Sequence, residues 1–534
     1  MSWPARVLIF ALILVPSAEY ARRNRDMPGF ARLHDDGLLF LSAKSLAAGE
    51  GYRIPSLPEN PYQTKYPPLY PLFLAAVWKL DPRFPSNLAL AAAFSWGLFA
   101  ACLALAWALY RSDGFSWAKT GIMLAMLGLC PYMILFGTRP FSEIFFTCFL
   151  LATFLAARQA GWKMAALAGA LAGCAYLSRT AGVALLVAIP AWYALRRDFR
   201  RAWIFALSML PFIAGWSLWT RAHTLRGAGQ DMLYYTDYIR FQFLNVGWSN
   251  IGVVVWKNID QLLYAFGSLA IPQVVALGPV KTLTQVVGIA AISGIVRMAR
   301  RGVGVGVDYA LFALVSSAML VVWHFPPNER FILPLFPLIA AGLVTELDFL
   351  FTALRKGFRH SDAGQRGASY VLAAAAGLII AAGVGLQLFV SFGYLNRLAD
   401  EDRKKLQDLR TTYSWIDTNL PPGAKILSSD DPLLYAYTGR RGNAMPLLPK
   451  WWYRDDHEQI VDAFRGAAEY CRRRGFDYFY ATSDDLARWT GAEDQAKVDA
   501  VVHANRELWP VFSGENGTLY RVARAGTLAT NAHE

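Results

Sequence analysis

His34-Asp35-Asp36 and, later in the same loop, Thr64-Lys65-Tyr66-Pro67-Pro68-Leu69-Tyr70-Pro71 decide how this chain is read. The first triplet follows a hydrophobic run from Trp3 to Tyr20, and the second runs straight into apolar sequence. Carboxylates at a membrane face are costly unless they are solvated, paired or used. Two adjacent ones, followed by a proline-stiffened return that carries Lys65, read as one half of an active site at a bilayer surface. The plainer reading is two solvated residues near a helix start. The Lys-Tyr-Pro-Pro segment in the same loop weighs against it.

Composition supports a membrane setting. The 534 residues are 55% hydrophobic, 14% aromatic and only 17% charged, with a mean hydropathy of +0.29. Apolar runs alternate with short basic loops, the pattern of a polytopic membrane protein. The formal charge is +13, but Asn396 to Glu534 hold 19 Lys+Arg against 21 Asp+Glu, so about +15 lies in the hydrophobic part. That distribution fits positive-inside topology and excludes a nucleic-acid-binding reading. Cys102, Cys130, Cys148 and Cys174 lie in hydrophobic segments and Cys471 stands alone in the tail, with neither metal spacing nor a disulfide framework.

Hydropathy predicts about eleven transmembrane helices, near 3–20, 85–109, 119–136, 140–157, 163–178, 180–195, 203–219, 283–297, 309–324, 330–350 and 369–391. Met1 to Ala18 reads as an uncleaved anchor, because its apolar stretch is long for a signal core and Ser17-Ala18 make a poor cleavage site. With the N-terminus cytoplasmic, the inner loops carry Arg111 and Lys119, Arg158 and Lys163, Arg196 to Arg201, Arg297 to Arg301, and Arg355 to Arg366. Arg22-Arg23-Asn24-Arg25 breaks the rule. Between Lys163 and Arg196, both flanks are basic, which requires two short helices meeting near Ser178-Arg179-Thr180. Leu69 to Leu80 and Tyr264 to Leu277 read as helices lying at the outer face.

After Phe392 the composition changes, predicting a soluble α/β domain on the outer face over residues 392–534. Helices are expected at 400–420, 457–474 and 492–505, and strands at 424–427, 476–481, 509–513 and 518–522. Residues 1–391 form the membrane part, with a first outer loop over about 21–84.

Several side chains could carry chemistry. One carboxylate of Asp35-Asp36 could be a general base, which must be ionised and within reach of a hydroxyl. Glu143 begins a predicted span; it is either a first-turn residue favoured by the helix dipole or an acceptor- or metal-orienting group. Lys65, Arg179 and Arg330 read as cations for a phosphate headgroup, with interfacial snorkelling as the alternative. His324 and Glu329 flank Arg330 and read as structural. Asp430-Asp431 reads as a helix-start turn, Trp451-Trp452-Tyr453 as packing, Gly302 to Gly306 as a loop, and Asn516-Gly517-Thr518 as a chance glycosylation pattern.

Taken in order, these motifs resemble the GT-C class of integral membrane glycosyltransferases, near the bacterial aminoarabinose-transferase-like and protein-O-mannosyltransferase-like branches. The pattern is Asp35-Asp36-Gly37-Leu38-Leu39-Phe40, Gly49-Glu50-Gly51-Tyr52, Lys65-Tyr66-Pro67-Pro68, Glu143, Ser178-Arg179-Thr180, and Arg330 to Pro334. Two positions depart from it: Asp36 stands where many relatives carry Glu, and Thr64 where the aminoarabinose-transferase branch carries an acid. The resemblance implies transfer of a sugar from a polyprenyl-phosphate donor to a hydroxyl of a lipid, glycan or protein. It assigns Asp35 as base with Asp36 supporting it, Glu143 to orient the acceptor or a divalent cation such as Mg or Mn, and Lys65, Arg179 and Arg330 to the donor phosphate. It also implies a bacterial inner membrane with the tail in the periplasm. A transporter or lipid flippase, a polymerase or ligase with other outer-loop chemistry, and a non-catalytic assembly protein remain the alternatives. Against the first, ionisable groups cluster at the outer ends of spans and no repeat is evident.

Overall fold

The computed structural model describes residues 3–523 except 238, 245, 273–279, 301–305, 358–370, 372, 373, 376, 379, 380 and 484–490. Those residues divide into two compact units. One comprises residues up to Arg25, Ala89–Leu218 and Val255–Leu398; the other comprises Asp26–Leu88, Trp219–Val254 and the chain from Ala399 onward.

The first unit is helical, and the chain is an integral membrane protein. Among the described residues, five helices are long and apolar enough to cross a bilayer: Trp3–Arg23, Leu88–Ser112, Phe199–His223, Lys281–Arg300 and Glu329–Leu354. The pair Trp117–Gly128 and Pro131–Gly137, bent by 62°, forms either a broken span or a re-entrant loop. The expected continuous span 119–136 is therefore broken, and proline explains the break. Pro131 lacks an N–H and pushes Cys130 out of the helical region, where it sits at φ −64°, ψ 123°.

Ser142–Ala157, Thr180–Leu195 and Val307–Val321 are shorter apolar helices, as is Trp162–Ser178 at 17 residues. The expected span 369–391 and the segments 264–277 and 302–306 lie partly outside the described residues. The expected break at Arg179 is present: the helix Trp162–Ser178 ends there in an extended residue, and a short 3-10 turn leads into Leu185–Leu195.

Glycines let these helices approach closely, as expected where no water drives association in a membrane. A Cβ on Gly294 would lie 1.9 Å from the Gly342 carbonyl oxygen, and one on Gly169 would lie 2.4 Å from that of Phe205. Gly294→Ala is expected to cost about 1–3 kcal/mol of stability through forced separation of Lys281–Arg300 from Phe336–Gly357. Gly215→Ala, whose added carbon meets nothing within 4 Å, should be neutral or slightly stabilising. Unfolding midpoints of the two variants in detergent check this.

The second unit is built on a four-stranded mixed sheet. Its strands are β1 (Ile426–Ser428), β2 (Tyr478–Thr482), β3 (Leu508–Gly514) and β4 (Gly517–Val522), in the order β1-β2-β4-β3. Strands β1 and β2 are parallel, while β4 is antiparallel to both β2 and β3. The helices His457–Arg465, Ala467–Arg474 and Ala492–His503 supply Phe464, Ala468, Cys471 and Val498 to a core shared with Leu427, Phe479 and Tyr520. Trp451 and Trp452, expected as packing between the domain and the membrane, instead pack on that core. The expected strand and helix positions in the tail are present to within a few residues, and two short helices, Asp431–Thr438 and Pro449–Tyr453, add to them.

The first loop belongs to this unit. It forms the helices Asp35–Ala47 and Leu69–Leu80, joined where Trp78 Nε1 donates to the Phe40 carbonyl at 2.9 Å. The loop docks on the tail: Gly442 N donates to the Ser56 carbonyl at 2.9 Å, and Arg474 pairs with Glu59 at 2.8 Å. Arg474 also pairs with Asp231 at 2.7 Å, which brings in the segment from Trp219.

Candidate active site

In the second unit the structure brings Asp35, Asp36 and Lys65 into one neighbourhood, and the loop chemistry explains how. Gly49 and Gly51 take positive φ, which places Tyr52 so that its hydroxyl donates to the Tyr66 carbonyl at 2.8 Å. Gln63 Oε1 accepts from the backbone N–H of Lys65 at 3.0 Å and of Tyr66 at 3.2 Å. Pro67 and Pro68 then lead into Leu69–Leu80. The Gly-Tyr turn and the Lys-Tyr-Pro-Pro return are thus two sides of one hydrogen-bonded corner.

The corner delivers the Tyr66 hydroxyl to Asp35, donating to Oδ1. Asp35 is half-buried and reachable, whereas Asp36 is fully buried and its Oδ2 accepts the Ala31 N–H at 2.9 Å. The adjacent acids therefore have different surroundings: Asp36 secures the preceding loop, and Asp35 is half-buried with the Tyr66 hydroxyl bonded to it. Lys65 is buried, donates to the Tyr234 carbonyl at 2.9 Å and lies 4.4 Å from the centroid of the Tyr234 ring.

In the helical unit the structure brings together Glu143, Arg179 and Arg330. Glu143 is fully buried in the first turn of Ser142–Ala157. Its Oε1 accepts from Arg179 Nη1 and from Arg330 Nε, so one carboxylate oxygen serves two guanidinium groups. Arg179 also reaches Ser142 Oγ at 3.1 Å, and Arg330 stacks over Phe141 with 4.7 Å to the ring centroid. A helix start, the extended break at Arg179 and the short helix Glu329–Ile332 supply these three side chains. Arg330 is preceded by Asn328, whose side chain accepts the Arg330 N–H and so sets that helix's start.

Among the described residues no group of three or more His, Cys, Asp or Glu side chains could hold a metal ion.

Asp431 is the side chain that sequence reasoning passed over. It is fully buried, and its Oδ1 accepts from the Tyr235 hydroxyl at 2.7 Å and lies 2.7 Å from His34 Nε2. Burial raises its carboxyl above the usual range, with His34 pulling in the opposite direction. Tyr235 in turn accepts the Ala444 N–H at 2.8 Å. In sequence, Asp430-Asp431-Pro432 looks like any helix start, and Asp431 is indeed a first-turn residue of its helix. No local signal could have linked it to His34, 397 residues away.

The fold is similar to that of a solved membrane protein over nearly the whole chain. The particular likeness is to ArnT from Cupriavidus metallidurans bound to undecaprenyl phosphate. It extends over 97% of this chain and 98% of that one, with a TM-score of 0.52 at 12% sequence identity. ArnT from the same organism in the apo state is similar over 91% of this chain and 93% of that one, with a TM-score of 0.47 at 12% identity. At this identity the likeness is one of fold. No family model and no curated protein sequence matches the chain.

Proposed function

We propose that this protein is a membrane glycosyltransferase that moves a sugar from a polyprenyl-phosphate carrier to an acceptor hydroxyl. The observation that carries the proposal is the half-buried Asp35, bonded to Tyr66 at the corner that also holds Lys65. The near-full-length likeness of fold to ArnT, crystallised with undecaprenyl phosphate, supports the donor class.

In this reading Asp35 removes the proton of the acceptor hydroxyl as its oxygen attacks the anomeric carbon. The bond from that carbon to the donor phosphate oxygen breaks, the electron pair leaves with the polyprenyl phosphate, and one displacement inverts the anomeric centre. Lys65 steadies the departing phosphate as a point charge. Arg179 and Arg330 are assigned to phosphate binding on the chemistry of their own unit, where two guanidinium forks already meet an anion, Glu143. The protein in this reading crosses the membrane about eleven times, with a membrane part over 1–391 and a C-terminal domain over 392–534. The distribution of basic loops supports a cytoplasmic N-terminus with the C-terminal domain on the outer face, and the family resemblance makes that face the periplasmic side of a bacterial inner membrane.

Lys65→Met tests the phosphate assignment. Loss of a charge-assisted contact worth about 1.5–3 kcal/mol should raise the donor KM about 10- to 100-fold, with the acceptor KM unchanged. An unchanged donor KM in a folded variant removes Lys65 from the site.

A further inference from the structure

The turn that delivers Asp35 is unusual. His34 sits at φ 67°, ψ −49°, and the Asp35 N–H donates to the Leu33 carbonyl at 2.8 Å, closing a three-residue turn across His34. Turns of this positive-φ kind are rare and strained for a residue with a side chain. Such a conformation persists where the surroundings over-determine it, and it concentrates at functional sites. Ala31, three residues earlier, is also left-handed, at φ 60°.

Three carboxylates hold this loop: Asp36, Asp431 and Asp402, the last paired with Arg32. Asp36 grips the Ala31 N–H from within. Asp431 grips the His34 ring from the start of the helix Asp431–Thr438. The two helices meet directly, since a Cβ on Gly37 would lie 2.7 Å from Pro432 Cβ. The His34 ring packs against Tyr234 and Tyr235, with centroids 5.5 Å and 5.4 Å away. A fully buried carboxylate is expensive and is retained where it fixes a structure or serves chemistry. With Nε2 directed at Asp431, the ring has one orientation.

We propose that Asp431, through its hydrogen bond to His34, is a positioning residue for Asp35: it holds the turn that aims the base. This rests on Asp35 being the base, and it makes the C-terminal segment part of the catalytic apparatus rather than an appendage.

Asp431→Ala, Asp431→Asn, His34→Gly and Asp35→Asn test this beside the wild type. The readouts are steady-state kinetics and backbone hydrogen exchange over residues 27–40. Asp431→Ala should lower kcat about 10- to 100-fold at unchanged donor KM, as expected for a misaimed group. It should also speed exchange in 27–40 while β1 and β2 stay protected. Asp431→Asn, whose side-chain oxygen still accepts from His34 and Tyr235, should restore most of kcat. His34→Gly tolerates the positive φ but offers no ring to Asp431, so it should reproduce the loss if Asp431→Ala does not fold. Unchanged exchange in 27–40 overturns the proposal, as does normal kcat in Asp431→Ala when Asp35→Asn is inactive. Normal transfer by Asp35→Asn overturns the catalytic reading instead, and the exchange data then still decide whether Asp431 holds the turn.

Discussion

Asp35→Asn is expected to lower sugar transfer about 100- to 10,000-fold, the span over which a positioned general base acts. The substitution is nearly isosteric and the amide oxygen still accepts the Tyr66 hydroxyl, so the corner between the Gly-Tyr turn and the Pro-Pro return should remain intact. What disappears is the ability to take a proton. Donor affinity should be preserved, placing the loss in kcat. The neighbouring carboxylate provides the internal comparison. Asp36 is fully buried and accepts the Ala31 N–H, and the oxygen of Asp36→Asn keeps that bond, so this variant should retain far more transfer activity than Asp35→Asn. Initial rates with saturating donor separate the two. If Asp36→Asn is the inactive one and Asp35→Asn the active one, the assignment of the base is reversed.

The second large effect concerns stability. Glu143→Leu should destabilise the protein by about 3–5 kcal/mol, because removing one partner of a buried ion pair leaves uncompensated charge behind. Here two guanidinium groups are affected: the Arg179 and Arg330 side chains are only 20% and 14% exposed, and both converge on Glu143 Oε1. Replacing all three with apolar residues, Glu143→Leu with Arg179→Leu and Arg330→Met, should recover much of the loss, since a well-packed apolar cluster often matches a buried ionic one. Unfolding free energies of the single and triple variants in one detergent measure both. A Glu143→Leu protein within about 1 kcal/mol of the wild type would mean the arginines find other anions, and that Glu143 is free for the acceptor or metal role the motif order implies.

Parts of this molecule were legible in the sequence because their signals are local. Basic residues on both sides of 163–196 required an even number of crossings, and the break at Arg179 follows from that. Alternating apolar and charged runs placed the four strands of the tail. The glycines before Tyr52 and the prolines after Tyr66 marked both sides of the corner that carries Lys65. Hydropathy is blind to backbone dihedrals, so Pro131 split a span that had read as continuous. It is equally blind to pairing across long stretches of chain. Arg179 and Arg330 were each visible as a membrane-face cation, but their convergence on Glu143, 187 residues before Arg330, was not. Nor could adjacency in sequence say that Asp35 is reachable and Asp36 is not. That difference arises from a left-handed loop whose shape is held partly by Asp431.

The central claim is that this protein breaks the bond between a sugar and a polyprenyl phosphate. The direct measurement is to incubate the purified protein with a panel of undecaprenyl-phosphate sugars and acceptor lipids or glycans, and to follow polyprenyl phosphate release and the anomeric configuration of the product. Release with inversion by the wild type, and donor binding without release by Asp35→Asn, is the predicted result. A folded wild type that neither binds nor cleaves any member of the panel would contradict the account.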